Sequence, residues 1–193
     1  TVGADPCTLL LTQMRPAMER TFEQYWQLFL RRKADFKESD KYTPYEVRTI
    51  GTLVRLGQPA RARAALEFFM EHRRPRGWRH WAEVVWADER EPGFIGDAPH
   101  GWVASDFLRA AGSLLLYEIG DTRFLGSGIS LAWWREGLEC ALKTPHGIVA
   151  ARSRASGGGA ELEIDGPAGL RCLFRVPEDA SRLTGCAASA SDG

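Results

Sequence analysis

The feature that most restricts what this chain can fold into is a change of apolar period just after Asp121. Before it, apolar residues recur every three or four positions, the spacing of one face of an α-helix. After it they alternate, the spacing of half-buried strands. The chain therefore reads as α+β, an array of antiparallel helical hairpins over 1–120 followed by a small antiparallel β subdomain over 121–193. Its last residues, Ala187–Gly193, are small and polar and are expected to fray.

Met18, Phe22, Tyr25, Trp26, Phe29 and Leu30 form one stripe and predict a helix over Pro16–Ala34, with Pro16 in its first turn. Asp35–Thr43 is a polar loop. Tyr45, Val47, Ile50, Leu53, Val54 and Leu56 predict a second helix that ends at Gly57. A third opens at Pro59, carries Ala62, Ala65, Leu66, Phe69 and Met70 inward, and stops before Pro75. Connections this short favour antiparallel neighbours. Helical spacing returns at Trp102 and runs through Leu115, with Gly120 as the expected stop. Strands are expected at Ile129–Trp134, Leu138–Lys143, Ile148–Arg154, Glu161–Asp165 and Leu170–Val176, separated by Gly- and Pro-rich turns.

Composition narrows the functions such a chain can have. Of its 193 residues, 25 are Lys or Arg and 25 are Asp or Glu, so no excess of positive charge recommends nucleic acid or an anionic membrane as a partner. Arg73, Arg74, Arg76 and Arg79 do cluster, but Asp88, Glu89 and Glu91 follow closely, and opposed runs of this kind pair or stay solvated. No apolar run is long enough to span a bilayer. The chain starts at Thr1 with no initiator Met and no leader-like segment, and is expected to be part of a longer polypeptide; no localisation follows. Cys7, Cys140, Cys172 and Cys186 make no CxxC pair, and Cys140 and Cys172 read as small buried hydrophobes. Gly157–Gly159 lacks the Lys and Ser/Thr of a phosphate loop and reads as a hairpin turn. Neither a metal-ligand spacing nor a cofactor motif is present, so no cofactor is expected.

The chemistry concentrates where periodicity fails, between Arg74 and Gly101. A connection of that length without its own secondary structure is usually functional or disordered, and seven Trp against four Tyr in the whole chain argue for function here. Trp78-Arg79-His80-Trp81-Ala82-Glu83-Val84-Val85-Trp86 surrounds one carboxylate with aromatic rings. Thirteen residues past Glu83 begins Gly96-Asp97-Ala98-Pro99-His100-Gly101-Trp102, a turn leading into a helix. Indole faces stack on the C–H faces of sugar rings, and a carboxylate among them can serve in glycoside chemistry. Each residue also has a structural use. Glu83 can be a solvated surface group, Trp81 and Trp86 plugs between helix ends, Trp102 helix-head packing, Asp97 a turn or cap acceptor, and His100 a structural histidine. Tyr45 and Glu46 sit where a loop enters a helix and are further candidates for binding substrate; the structural alternative for Glu46 is a first-turn carboxylate favoured by the helix dipole.

The order of helical hairpin, Trp-Ala-Glu segment, Gly93-Phe-Ile-Gly-Asp-Ala-Pro-His-Gly-Trp102 and β-meander resembles the C-terminal part of the six-hairpin, (α/α)6-toroid glycosidases. These include trehalases, glucosidases, rhamnosidase-like enzymes and a bacterial branch carrying a similar "GDxPHGWxASDF" phrase. The resemblance covers about Tyr42–Trp134. It implies hydrolysis of a glycosidic bond by general acid/base catalysis, with Glu83 at the position of the base and Trp102 at the head of an inner helix. It also implies Trp81, Trp86 and Trp102 as a sugar-facing wall, and Asp97 and His100 as partners of sugar hydroxyls. The Glu-Lys-Tyr lead and Gly-Gly-Gly-Glu-Tyr run of trehalases are absent, and the chain supplies only part of the helical ring. The general acid is then expected in an upstream part of the same polypeptide, and the substrate is expected to be a carbohydrate. The reading from a different class is a non-catalytic carbohydrate-binding or scaffold protein on the same fold.

Overall fold

The computed structural model of the chain describes residues 6–36, 41–88, 90, 96–120 and 122–180, the side chains of 6–12 and 41 excepted. The expected fray at Ala187–Gly193 lies outside them, as do the side chains of Cys7 and Cys186. The fold is mixed α+β, with five α-helices and three small sheets among the described residues. It divides into two compact units, Thr1–Leu114 and Leu115–Gly193.

In the first unit, α1 spans Pro6–Ala34. Pro16 therefore lies inside the helix and not in its first turn. The residue that meets the preference of proline for the first helical position is Pro6, and no Gly intervenes to stop the helix before Pro16. Pro16 leaves the carbonyl four residues earlier without its usual donor. A 3-10 turn at Pro44–Val47 leads into α2 (Arg48–Arg55), and Gly57, at φ +79°, reverses the chain into α3 (Pro59–Glu71). Ile50, Leu53 and Val54 of α2 and Ala62, Ala65, Phe68 and Phe69 of α3 are buried, as helical spacing requires. Phe29 of α1 completes this core: it stacks on Trp26 at 4.8 Å between ring centroids and meets Phe68 edge-on at 5.2 Å. Full burial of one such ring is worth roughly 1.5–3 kcal/mol. The last helix of the unit is α4, Gly101–Leu115, with Val103, Ala110 and Leu114 inward.

One two-stranded ladder positions the aperiodic segment. In it β1 (Lys41–Tyr42) pairs antiparallel with β2 (Val85–Trp86), Tyr42 opposite Val85. Because both residues are buried, the register is set by the core, and it fixes the chain on either side of the ladder. Residues just after Tyr42 thus run beside residues just before Val85.

In the second unit, α4 passes at once into β3 (Leu116–Ile119), which pairs antiparallel with β4 (Thr122–Leu125). Gly120 is therefore not the helix stop. It sits at φ +55° in the turn between these strands, whose pairing is reinforced by Tyr117 stacked on Phe124 at 4.9 Å. The strand expected at Ile129–Trp134 is a helix, α5 (Leu131–Arg135). Ser130 caps it by accepting from the Trp133 N–H at 3.2 Å, and Gly137 follows at φ +87°. The alternation of Ile129, Leu131 and Trp133 imitates a strand, but a cap at Ser130 and a glycine at Gly137, seven residues apart, leave room only for a short helix.

The meander appears as β5 (Glu139–Thr144), β6 (Gly147–Ser156) and β7 (Gly159–Asp165), each antiparallel to the next. Val149 and Ala151 of β6 are its buried residues. The last expected strand shortens to β8 (Cys172–Phe174) and leaves the meander, pairing parallel with β4. The β unit is thus not purely antiparallel. Phe174 explains the choice: its ring lies 3.0 Å from where a Cβ would stand on Gly126 and 6.2 Å from Trp134, a slot that only glycine at Gly126 leaves open. Cys140 and Cys172 are free, half-buried thiols, and burial pushes both above the ordinary thiol range. Among the described residues no helix is long and apolar enough to cross a membrane.

Candidate functional site

The β1–β2 register brings Thr43 and Tyr45 beside Glu83. The Thr43 hydroxyl donates to the Glu83 carbonyl at 3.0 Å, and it accepts from the Tyr45 N–H at 3.4 Å to cap the 3-10 turn. Two further backbone bonds bring the next segment alongside: Glu83 N–H donates to the Asp97 carbonyl at 3.1 Å, and His100 N–H to the Trp81 carbonyl at 2.7 Å. The His100 carbonyl then accepts from Ala104 as α4 begins. The described parts of the aperiodic stretch are thus tied down, residues 81–86 by the ladder and residues 96–100 by the bonds to Trp81 and Glu83 and by the helix head.

A cleft of about 470 Å³ results, lined by Tyr45, Glu83, Asp97, His100 and Trp102, with Pro99 and Gly101 between them. Five of the eight expected site residues thus meet, from three separate stretches of chain. His100 is the hub. Its Nε2 lies 2.5 Å from the Tyr45 hydroxyl, and its Nδ1 faces the Asp97 carboxylate at 3.8 Å. With the ring proton on Nδ1, on the side of the carboxylate, Nε2 accepts from the phenol. The imidazole is only 11% exposed, whereas Asp97 is 84% exposed. Desolvation, with the negative charges of Glu83, Asp106 and Asp97 adding to it, raises the Tyr45 phenol above the ordinary tyrosine range, so it stays a proton donor. Arg48 stacks its guanidinium 4.9 Å from the Tyr45 ring centroid and pairs with Asp106 of α4 at 2.5 Å, which ties the ring to the helix.

Glu83 has a different environment. Its carboxylate accepts a long contact, 3.4 Å, from the Asp97 N–H, and among the described residues it has no ion pair. It packs so closely on Gly96, at φ +65°, that a Cβ there would overlap the carboxylate and lie 2.6 Å from the Glu83 Cβ. Gly96 is thus required twice, for its backbone angle and for the space that Glu83 occupies. Trp102, at the head of α4, leaves 75% of its surface exposed at the edge of the cleft, where it can present an indole face to a ligand.

The remaining expected residues fall elsewhere. Trp81 is 4% exposed, packed against Phe107 at 5.0 Å with Arg73 over its ring, so it supports the site from within and cannot face a sugar. Trp86 stands opposite Lys41 in β2 and does not line the cleft. Glu46 lines a neighbouring cavity of about 630 Å³, where it accepts from the Tyr25 hydroxyl at 3.0 Å and from Arg32 at 2.8 Å. Thr43, Arg48 and Gly96 were not anticipated. Thr43-Pro44 was nevertheless readable as a cap before a first-turn proline, and Gly96-Asp97 as a tight turn. Among the described residues no group of three or more His, Cys, Asp or Glu could hold a metal ion. No family model, no curated protein and no solved structure matches the chain.

Proposed function

We propose that the cleft binds and cleaves a carbohydrate, that α1–α4 belong to a ring of helical hairpins of the (α/α)6 type, and that Glu83 is the base that activates water against the glycosidic bond. The general acid comes from an upstream part of the same polypeptide. The observation that carries this reading is a carboxylate with no cation paired to it among the described residues, beside an exposed indole and a histidine-anchored phenol. Each group has its task in that chemistry. Trp102 offers a flat apolar face to a pyranose ring, the Tyr45 oxygen and Asp97 accept from sugar hydroxyls, and Glu83 removes a proton from water.

Glu83→Gln in the intact polypeptide tests it. Turnover of a responsive glycoside is expected to fall by about 10²–10⁴-fold, the usual contribution of a positioned base, while saccharide affinity is kept. Unchanged turnover removes Glu83 from the mechanism. One observation favours the non-catalytic reading: the Glu83 carboxylate already accepts from Asp97 N–H and packs on Gly96, which is a structural use. Saccharide binding that depends on Trp102, with no hydrolysis by the unaltered polypeptide, would select that reading.

A further inference from the structure

The cavity beside the cleft is unexplained by glycoside cleavage at Glu83. Tyr45 lines both spaces, so a saccharide chain that leaves the cleft over the Tyr45 ring enters it. Its volume, about 630 Å³, falls in the range that accepts a small ligand. Its lining combines an apolar floor with charge: Leu28 is half-exposed there, Tyr25 is beside it, and Arg31, Arg32 and Arg48 stand against Asp35 and Glu46.

These charges are not equivalent. Arg32 is committed to Glu46 at 2.8 Å and Arg48 to Asp106 at 2.5 Å. The Arg31 side chain is exposed and has no ion pair among the described residues. Both Arg31 and Arg48 retain guanidinium edges that can form the paired hydrogen bonds suited to a carboxylate or a sulfate. An apolar floor under a cationic rim is complementary to a sugar ring bearing one anionic substituent.

We infer that this cavity is a subsite for an acidic sugar residue of the substrate, a uronate or a sulfated sugar, held by Arg31 and Arg48 next to the unit that lies against Glu83. The inference rests on the carbohydrate reading of the cleft and names the class of substrate.

The test measures binding of the intact polypeptide to oligosaccharides supplied in matched neutral, uronate and sulfated forms. The acidic form is expected to bind on the order of fivefold more tightly, a magnitude suited to a partly exposed ion pair. The preference should vanish in Arg31→Gln, shrink in Arg48→Gln, survive in Arg31→Lys and weaken with added salt. Whichever of the uronate and sulfate series shows this dependence identifies the substituent. Equal binding of neutral and acidic forms, with Trp102→Ala weakening both, overturns the acidic subsite and leaves the carbohydrate reading standing. An acidic preference indifferent to Arg31 also overturns it, because the charge then acts elsewhere. Binding to no member of any series overturns both.

Discussion

The two adjoining cavities of the helical unit contain the same pair of groups, a tyrosine phenol and a glutamate carboxylate, in opposite arrangements. Around Glu46 the pair closes on itself: Tyr25 donates to the carboxylate and Arg32 neutralises it, and that carboxylate is only 21% exposed. Around Glu83 the pair is split. The Tyr45 hydroxyl is hydrogen-bonded to His100 and not to Glu83, and the Glu83 carboxylate keeps a single long contact from a backbone N–H. A glutamate beside a tyrosine is not by itself open to a ligand; what else binds the carboxylate decides. Glu46 holds α1 to the 3-10 turn ahead of α2, whereas Glu83 retains acceptor capacity on the cleft side.

The sharpest way to break this contrast is to neutralise each carboxylate in turn. Glu83→Gln should cost about 10²–10⁴-fold in turnover and little stability, because the amide can still accept from Asp97 N–H. Glu46→Gln should reverse the pattern, costing about 1–2 kcal/mol in denaturant unfolding because Arg32 loses its charge partner, with turnover little changed. A double-mutant cycle with Arg32→Gln should recover part of that loss. Equal effects of the two Glu→Gln changes on both readouts would erase the distinction.

Gly96→Ala probes the support of the open carboxylate. A Cβ at φ +65° that overlaps Glu83 should cost about 1–3 kcal/mol and lower turnover by moving the carboxylate. A variant as stable and active as the parent would show that Glu83 is not held there. Trp102→Ala should separate binding from folding. The ring is mostly exposed, so thermal unfolding should shift by less than about 0.5 kcal/mol, while saccharide affinity falls about tenfold.

The smallest effect is expected at alkaline pH. Burial, with the Glu46 charge adding to it, raises the Tyr25 phenol well above its ordinary value, and burial does the same for Tyr42. The folded chain then holds these protons more tightly than the unfolded chain, so stability falls as pH rises past about 10. Tyr25→Phe should flatten that decline in urea titrations between neutral and alkaline pH. An unchanged slope would place the titration elsewhere.

Much of this architecture was legible without coordinates because its signals are local. The stripes of α2, α3 and α4 and the strands of the meander follow from the spacing of apolar side chains, and their boundaries shifted by only a few residues. The misread elements lay where local signals conflict. Ile129–Trp134 alternates like a strand while Ser130 and Gly137 bracket a helix, and Gly120 looks like a helix stop while Leu116–Ile119 has already found a strand partner. The parallel pairing of β8 with β4 had no local signal, since it depends on a slot at Gly126 some fifty residues away in sequence. At the site, Glu83, Asp97, His100 and Trp102 could be singled out because aromatic and carboxylate residues gathered in an aperiodic stretch. Trp81 could not be told from Trp102 by that criterion, because both sit among the same residue types and only burial distinguishes them.

By itself the sequence determined the class of the fold and the stretch that supplies most of the cleft's lining, because period and composition act over a few neighbouring residues. Only the tertiary structure decided that Tyr45 would reach His100, that Glu46 would be neutralised and Glu83 not, and that Trp81 would be buried and Trp102 exposed. Those outcomes depend on the register of one two-stranded ladder and on two backbone bonds that place residues 43–45, 81–83 and 97–100 side by side. Contacts so distant in sequence exist only once the core has chosen the register.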